Sequence, residues 1–486
     1  MKKRVRCILF LISMTAVLSA GCGSSSGEGA AAAENIRPET EEAGQYVPAE
    51  AEKEGKDGNV TDGNIPAEEG AGTGGECVSD KTEEKFYIYS WNEELGERLE
   101  YIYAANPEIK DRIEYVSVGS SEGYQEEIDR LLQNPEAEGY PDMIAFEAGY
   151  MMKYTNSDFT IPVTDCGLTE VDLMEMYPYT ITAASDRRDY ELKAVSWQCR
   201  PGFFLYRTDL AETVLGVKSP EEMQARIGSW EDFLETAREM KEKTGDAVRM
   251  LSSAGEVKSV FRTGRNRPWV DSDGVFHMDD TMLMYMDVVY ALENEELTCG
   301  SGQQPEEQGA GIAGTAVFGC FEGDWSLYED ELHDGAAAGR EAYGPWNICQ
   351  GPAPYFTDGV WLGATAGCSD TVLAGQIMKA LCCDTEVMRE MAEGTGDYVN
   401  NKSAMKALAD EGKGTFSLLG GQNFIEAVFP IAEAADTSWM GVYDGRINEL
   451  LDVQVTAYVK GEREKEKAVA DLKKAVAQAY PSLTVE

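Results

Sequence analysis

From Lys85 onward, short apolar runs alternate with stretches of helical period. Phe86–Ser90 (FYIYS) reads as a buried strand. Leu95, Leu99, Ile102 and Tyr103 then recur at helical spacing until Asn106-Pro107 stops them. Arg112–Val118 (RIEYVSV) predicts a second strand. Tyr124, Ile128, Leu131 and Leu132 mark a second helix ending at Asn134-Pro135, and Asp142–Glu147 (DMIAFE) a third strand. A β-α-β-α-β order in so short a span is the pattern of a parallel α/β sheet. Further on, Ser229 and Asp232 cap a helix carrying Trp230, Phe233, Leu234 and Ala237 on one face, with Gly245 past its end. Arg267–Met278 predicts two short strands around an acidic turn. That turn lacks the calcium-loop spacing, because Trp269 stands where the first acidic ligand is needed. Gly461–Tyr480 predicts a charged amphipathic helix packed on the surface.

The N-terminal pattern is different. Lys2, Lys3, Arg4 and Arg6 precede an apolar run, Ile8–Leu18, of signal-peptide length and too short to span a membrane comfortably. Ser19, Ala20, Gly21 and Cys22 follow. This resembles the lipobox of bacterial lipoproteins, with Ser19 where that motif usually has Leu. The resemblance implies a signal peptide over 1–21 and a lipid on Cys22. Between Gly23 and Asp80 there are fourteen acidic and three basic residues and almost no large apolar ones. Such a segment cannot bury enough apolar surface to offset its ordering entropy, so 22–84 is expected to be a disordered acidic tether.

Charge narrows the partners. The 486 residues include 87 acidic and 42 basic ones, a net charge of -45. Phosphate binding needs clustered Lys and Arg, so a nucleic-acid role is excluded. An acidic surface also repels anionic lipid, so any membrane association must be covalent or helical. Two histidines, His277 and His333, rule out His-rich metal sites. Nine of the eleven cysteines lie beyond Cys7 and Cys22; their odd number and irregular spacing suggest buried thiols and not a disulfide framework.

Two motifs compete for chemistry. Gly119–Gly123 (GSSEG) matches a nucleophile elbow around Ser121 and lies between a strand and a helix. An elbow of that fold follows several strands, however, and only two precede this one; a helix cap explains the same residues. Gly309, Gly311 and Gly314 match a dinucleotide fingerprint, but they precede a strand-like stretch where the motif requires them to follow one.

Several stretches together resemble the carbohydrate-binding lipoproteins of ABC importers, family 1-like extracellular solute-binding proteins. They are Tyr89–Glu94 (YSWNEE), Tyr140–Glu147 (YPDMIAFE), Ser196–Leu210 (SWQCRPGFFLYRTDL), Gly314–Ser326 (GTAVFGCFEGDWS) and Gly351–Gly363 (GPAPYFTDGVWLG). The resemblance covers 85–486. It implies an α/β, two-lobed maltose-binding-protein-type fold with a hinge and an interlobe cleft. Lobe 1 is expected at 85–195 plus 350–383, and lobe 2 at 203–345 plus 384–486. It further implies a monomer without cofactor, metal or catalysis, which captures a mono- or oligosaccharide and presents it to a membrane permease. A secreted polysaccharide hydrolase and a sensory receptor without a permease are the alternatives. In a parallel α/β sheet, ligands lie beyond the carboxyl ends of the strands. Aromatic faces suit the C–H faces of sugars, and carboxylates and amides suit their hydroxyls. The candidate ligand contacts are Trp91, Asn92, Glu93, Glu147, Trp197, Gln198, Asp324, Trp325, Asp358 and Trp361.

Overall fold

The computed structural model describes residues 85–300, 316–323 and 345–485. The leader, Cys22, the tether, the Gly309–Gly314 motif, His333, Asp324 and Trp325 lie outside the described residues. The predicted opening is present. Strand β1 (Phe86–Ser90), helix α1 (Glu94–Ala105), strand β2 (Ile113–Ser117), helix α2 (Ser121–Leu132) and strand β3 (Met143–Glu147) follow in order. Asn106 ends α1 as expected, but Pro107 opens a further short helix, Pro107–Arg112, before β2. Proline at the first helical position loses no hydrogen bond, so the same dipeptide stops one helix and starts another. The GSSEG motif is a turn and cap: Gly119 has φ +85°, and Ser120 Oγ accepts from the Gly123 N–H at 3.1 Å.

The chain continues through β4 (Phe203–Arg207), α3 (Trp230–Lys243), β5 (Gly319–Glu322), β6 (Trp346–Cys349), β7 (Val360–Ala364), α4 (Thr371–Cys382), α5 (Thr385–Thr395), α6 (Asp444–Val459) and α7 (Lys465–Ala479). The first sheet has the order β7-β3-β1-β2, with β1 parallel to β2 and β3, and β7 antiparallel to β3. The second sheet has the order β5-β4-β6, antiparallel throughout.

Side chains of a strand alternate between faces, and β4 uses this to serve two cores. Phe203 and Leu205 enter one with Phe86, Leu99, Met391 and Phe424. Phe204 and Tyr206 enter the other with Phe233, Phe261, Met286 and Ile447. Trp230 lies in the second core, its ring stacked on Phe261 at 4.2 Å, and Ser229 caps α3 as predicted. The 267–278 hairpin is also there: Val270 pairs with Phe276, and His277 Nε2 bonds Asp271 Oδ2 at 2.7 Å. All eight described cysteines are free, five of them buried.

Helix α5 packs on α1 and α4 beside the first sheet, and Arg98 of α1 holds Asp397 just beyond α5 with bonds of 2.6 and 3.1 Å. Three crossing segments meet nearby. Val195 pairs with Leu362, Pro201 with Phe356, and Gln198 with Val399. Gly202 is needed at the crossing, because a Cβ there would sit 2.0 Å from the Tyr355 ring.

A stack of flat side chains also runs between the cores. Tyr179 lies on Phe356 (5.1 Å), and Phe356 on Trp439 (6.5 Å). The Arg265 guanidinium stands 4.3 Å from Trp439 and 5.1 Å from Trp269, whose ring stacks on Phe276. Arg265 is anchored by Asp444 at 2.5 Å.

Glu256 ties a loop to β5. Its carboxyl accepts from the Ser252 and Ser253 N–H groups (3.0 and 3.1 Å), the Ser252 hydroxyl and the Phe321 N–H (3.3 Å). Burial nevertheless pushes this carboxyl up to about 7. The folded chain then holds a proton that the unfolded chain releases near 4.5. Wherever the native state binds more protons, stability falls as pH rises. Stability should therefore fall by about 3 kcal/mol between pH 4.5 and 7 through this group. Urea denaturation across that range should show the slope in the wild type and its loss in Glu256→Gln; parallel curves would contradict the assignment.

Candidate functional site

The carboxyl ends of β1 and β3 and the start of β7 converge. Trp91 follows β1, partly buried, its ring edge-on to Tyr124 at 5.7 Å. Tyr124 is fixed in turn, because its hydroxyl donates to Ala145 O at 2.5 Å and lies 3.3 Å from Tyr89 O. Asn92 Oδ1 accepts from the Glu94 N–H at 3.1 Å, and its carbonyl accepts from the Tyr115 hydroxyl at 2.6 Å. Glu147 closes β3 opposite Val360. The next N–H, of Ala148, reaches both Gly359 O and Asp358 Oδ1 at 3.3 Å. Trp91, Asn92, Glu147 and Asp358 are thus brought to one edge of the first sheet.

The two acids after Asn92 differ. Glu93 is exposed, whereas Glu94 is partly buried with Arg200 Nη2 at 3.8 Å and Arg98 at 4.0 Å. The sequence reading names Glu93; the turn into α1 places Glu94 as the more buried of the two. Burial pushes the Glu94 carboxyl up, opposed first by Arg200. Burial likewise raises Asp358, against the Gly359 N–H, Arg200 and the Ala148 N–H. Arg200 was not foreseen, although it stands two residues from Gln198 in a stretch singled out for its resemblance.

Three candidates stand behind this edge. Trp197 and Trp361 are 0% and 1% exposed, and Gln198 is 2% exposed. The Trp361 indole N–H donates to Thr180 O at 3.0 Å, and its ring packs among Tyr124, Phe146 and Tyr154. Trp197 lies in the first core. Both rings are enclosed, with no open face for a sugar. A tryptophan beside a polar residue shows amphipathic sequence but not which neighbour faces the core. Of the two histidines that could serve a nucleophile elbow, His277 is held by Asp271 of its own hairpin in the second core's layer, and His333 lies outside the described residues.

Two sheets joined by three crossing segments, with polar and aromatic side chains at the strand ends of the first, define a two-lobed binding protein. The chain belongs to the bacterial extracellular solute-binding proteins, whose family model matches residues 110–413. No curated protein matches its sequence. Among solved structures it is similar to an extracellular solute-binding protein of family 1 (TM-score 0.67, 14% identical, 82% of this chain and 99% of that one). It is similar to the sugar-binding protein MalE of Xanthomonas citri (TM-score 0.61, 15% identical, 81% and 96%). A third is an ABC transporter associated binding protein of B. animalis subsp. lactis in complex with β-1,6-galactobiose (TM-score 0.58, 16% identical, 82% and 97%). These likenesses establish the two-lobed α/β fold. Among the described residues no helix is long and apolar enough to cross a membrane.

The burial difference is testable. Trp361→Ala should cost about 3–5 kcal/mol of stability, and Trp91→Ala only about 1 kcal/mol, by urea denaturation. Equal costs would show that Trp91 is a core residue too.

Proposed function

We propose that this protein is the lipid-anchored substrate-binding component of an ABC importer. It captures a carbohydrate by closure of two lobes and delivers it to a membrane permease. The observation that carries the reading is Trp91, a partly buried indole set among Asn92, Glu147 and Asp358 at the strand ends. An aromatic face beside convergent acceptors is suited to the alternating C–H and hydroxyl surfaces of a sugar. Glu94 joins the set and Glu93 flanks it; Asp324 and Trp325 are proposed as further contacts from the resemblance of their sequence stretch alone. Closure follows the hinge scheme, in which ligand stabilises the closed state through contacts from both lobes. The galactobiose held by one structural neighbour supports a saccharide ligand. Cys22 supplies the anchor; a single acyl chain holds only marginally, so a diacylglyceryl group with two chains suits stable attachment.

A thermal-shift screen over mono- and oligosaccharides is the direct test. A ligand at 100 times its Kd should stabilise the protein by about 2.7 kcal/mol; no response to any saccharide would overturn the reading. With the best ligand, titration calorimetry should show Trp91→Ala and Glu147→Ala each binding at least about tenfold more weakly, a loss of about 1.4 kcal/mol, while remaining folded. Metabolic labelling with a fatty acid should mark the wild type and not Cys22→Ala; label persisting in the variant would remove the anchor.

A further inference from the structure

One cation at the site has no role yet. Arg200 stands on the first crossing segment, and its main chain is held on both sides. Its N–H donates to the Tyr179 hydroxyl at 3.1 Å, and its carbonyl accepts from the N–H of Thr357, the residue before Asp358, at 2.9 Å. Its side chain is partly exposed and reaches toward Glu94, with Nη2 3.8 Å from Oε1. On the way Nε lies 3.4 Å from Gln198 Oε1. The Gln198 amide is buried, and its Nε2 has no partner.

We propose that Arg200 is a positioning residue of the ligand site: from the hinge segment its guanidinium pairs with Glu94, so that the site offers a charged acceptor to ligand hydroxyls. This rests on the site assigned above. The alternatives for that charge are few. Arg98 is the other cation near Glu94, but it already meets Asp397 with two short bonds and Glu97 at 3.6 Å. Its charge is therefore shared among three acids. Asp397 faces Glu94 and adds to the unfavourable charge, and Tyr115 senses both Glu93 and Glu94. Near Asp358, Arg200 is the cation that opposes burial. A carboxylate makes the stronger hydrogen bond to a hydroxyl than a neutral carboxyl does. Losing the guanidinium would convert Glu94 toward the weaker form, and would do so from a residue on the hinge.

The test reads the carboxyls directly in the ligand-free mature chain. Side-chain ¹³C titrations, assigned with Glu94→Gln and Asp358→Asn, are compared in wild type, Arg200→Met and Arg200→Lys. An opposite charge within 4–6 Å moves a carboxyl by about one pH unit or more. Arg200→Met should therefore raise the Glu94 midpoint by about one pH unit and move that of Asp358 in the same direction, and Arg200→Lys should restore most of the shift. Unchanged midpoints in folded Arg200→Met overturn the proposal. Should Arg200→Met not fold, Arg200→Gln carries the same expectation, and unchanged midpoints in that variant overturn the proposal equally. Because no ligand is present, the outcome is separate from the saccharide screen: a failed screen removes the transport reading and leaves these titrations standing.

Discussion

Everything else in the body depends on the period-two alternation of four residues in β4. Phe203 and Leu205 point into one apolar core, Phe204 and Tyr206 into the other. A strand with one polar face belongs to a single layer; a strand apolar on both faces must be covered on both. The second sheet therefore carries helices on either side, and β4 continues directly from the first crossing segment. The same five-residue strand thus closes one core, founds another and fixes the direction in which the chain passes between them.

That constraint sets the polarity of the crossing. Main-chain groups buried between two cores must find partners, and the three segments find them in one another. The Cys199 N–H donates to Tyr398 O and the Asn400 N–H to Trp197 O, both at 2.9 Å, and Ser196 Oγ reaches Val360 O at 2.6 Å. Each segment is only a few residues long, so small changes of φ and ψ there can turn one layer against the other without breaking either core. The Arg265 stack works against such freedom. A guanidinium between two indoles gains from both faces, but it is buried with its Nε and Nη1 unpartnered. Burial disfavours its charge, and Asp444 holds it. It is a tie with an internal cost, unlike the hydrogen-bonded crossing, where every bond named is satisfied on both sides.

Legibility in the sequence followed the range of the interaction. The opening β-α-β-α-β, the Ser229 cap and the 267–278 hairpin rest on neighbours within a few residues, and each is present where the pattern put it. The family resemblance likewise agreed with the matched family. What was illegible is tertiary. Nothing local says that α5 lies on α1, because its amphipathic face fits either layer. Nothing local separates Trp91, which stays accessible, from Trp361, which does not: each is an aromatic beside apolar and polar neighbours. Which of Glu93 and Glu94 is the more buried turned on the rotation of one helical start.

A ligand platform has two opposed requirements, and the site meets them through different partners. An aromatic face that binds must be rigid, or its ordering entropy is lost on every encounter; it must also stay uncovered. Trp361 and Trp197 are rigid because they are enclosed, and for that reason have no face to offer. Trp91 is only partly buried, packed at the margins of two apolar clusters. Tyr124 abuts it edge-on, and the Tyr124 hydroxyl is anchored on a carbonyl of β3 with one of β1 close by. The rigidity of the first sheet thus reaches the indole in part through one phenol, while part of the residue stays accessible. The acceptors around it are built the same way. Asn92 and Asp358 accept from the main-chain N–H groups of Glu94 and Ala148, which orients their side chains at the strand ends.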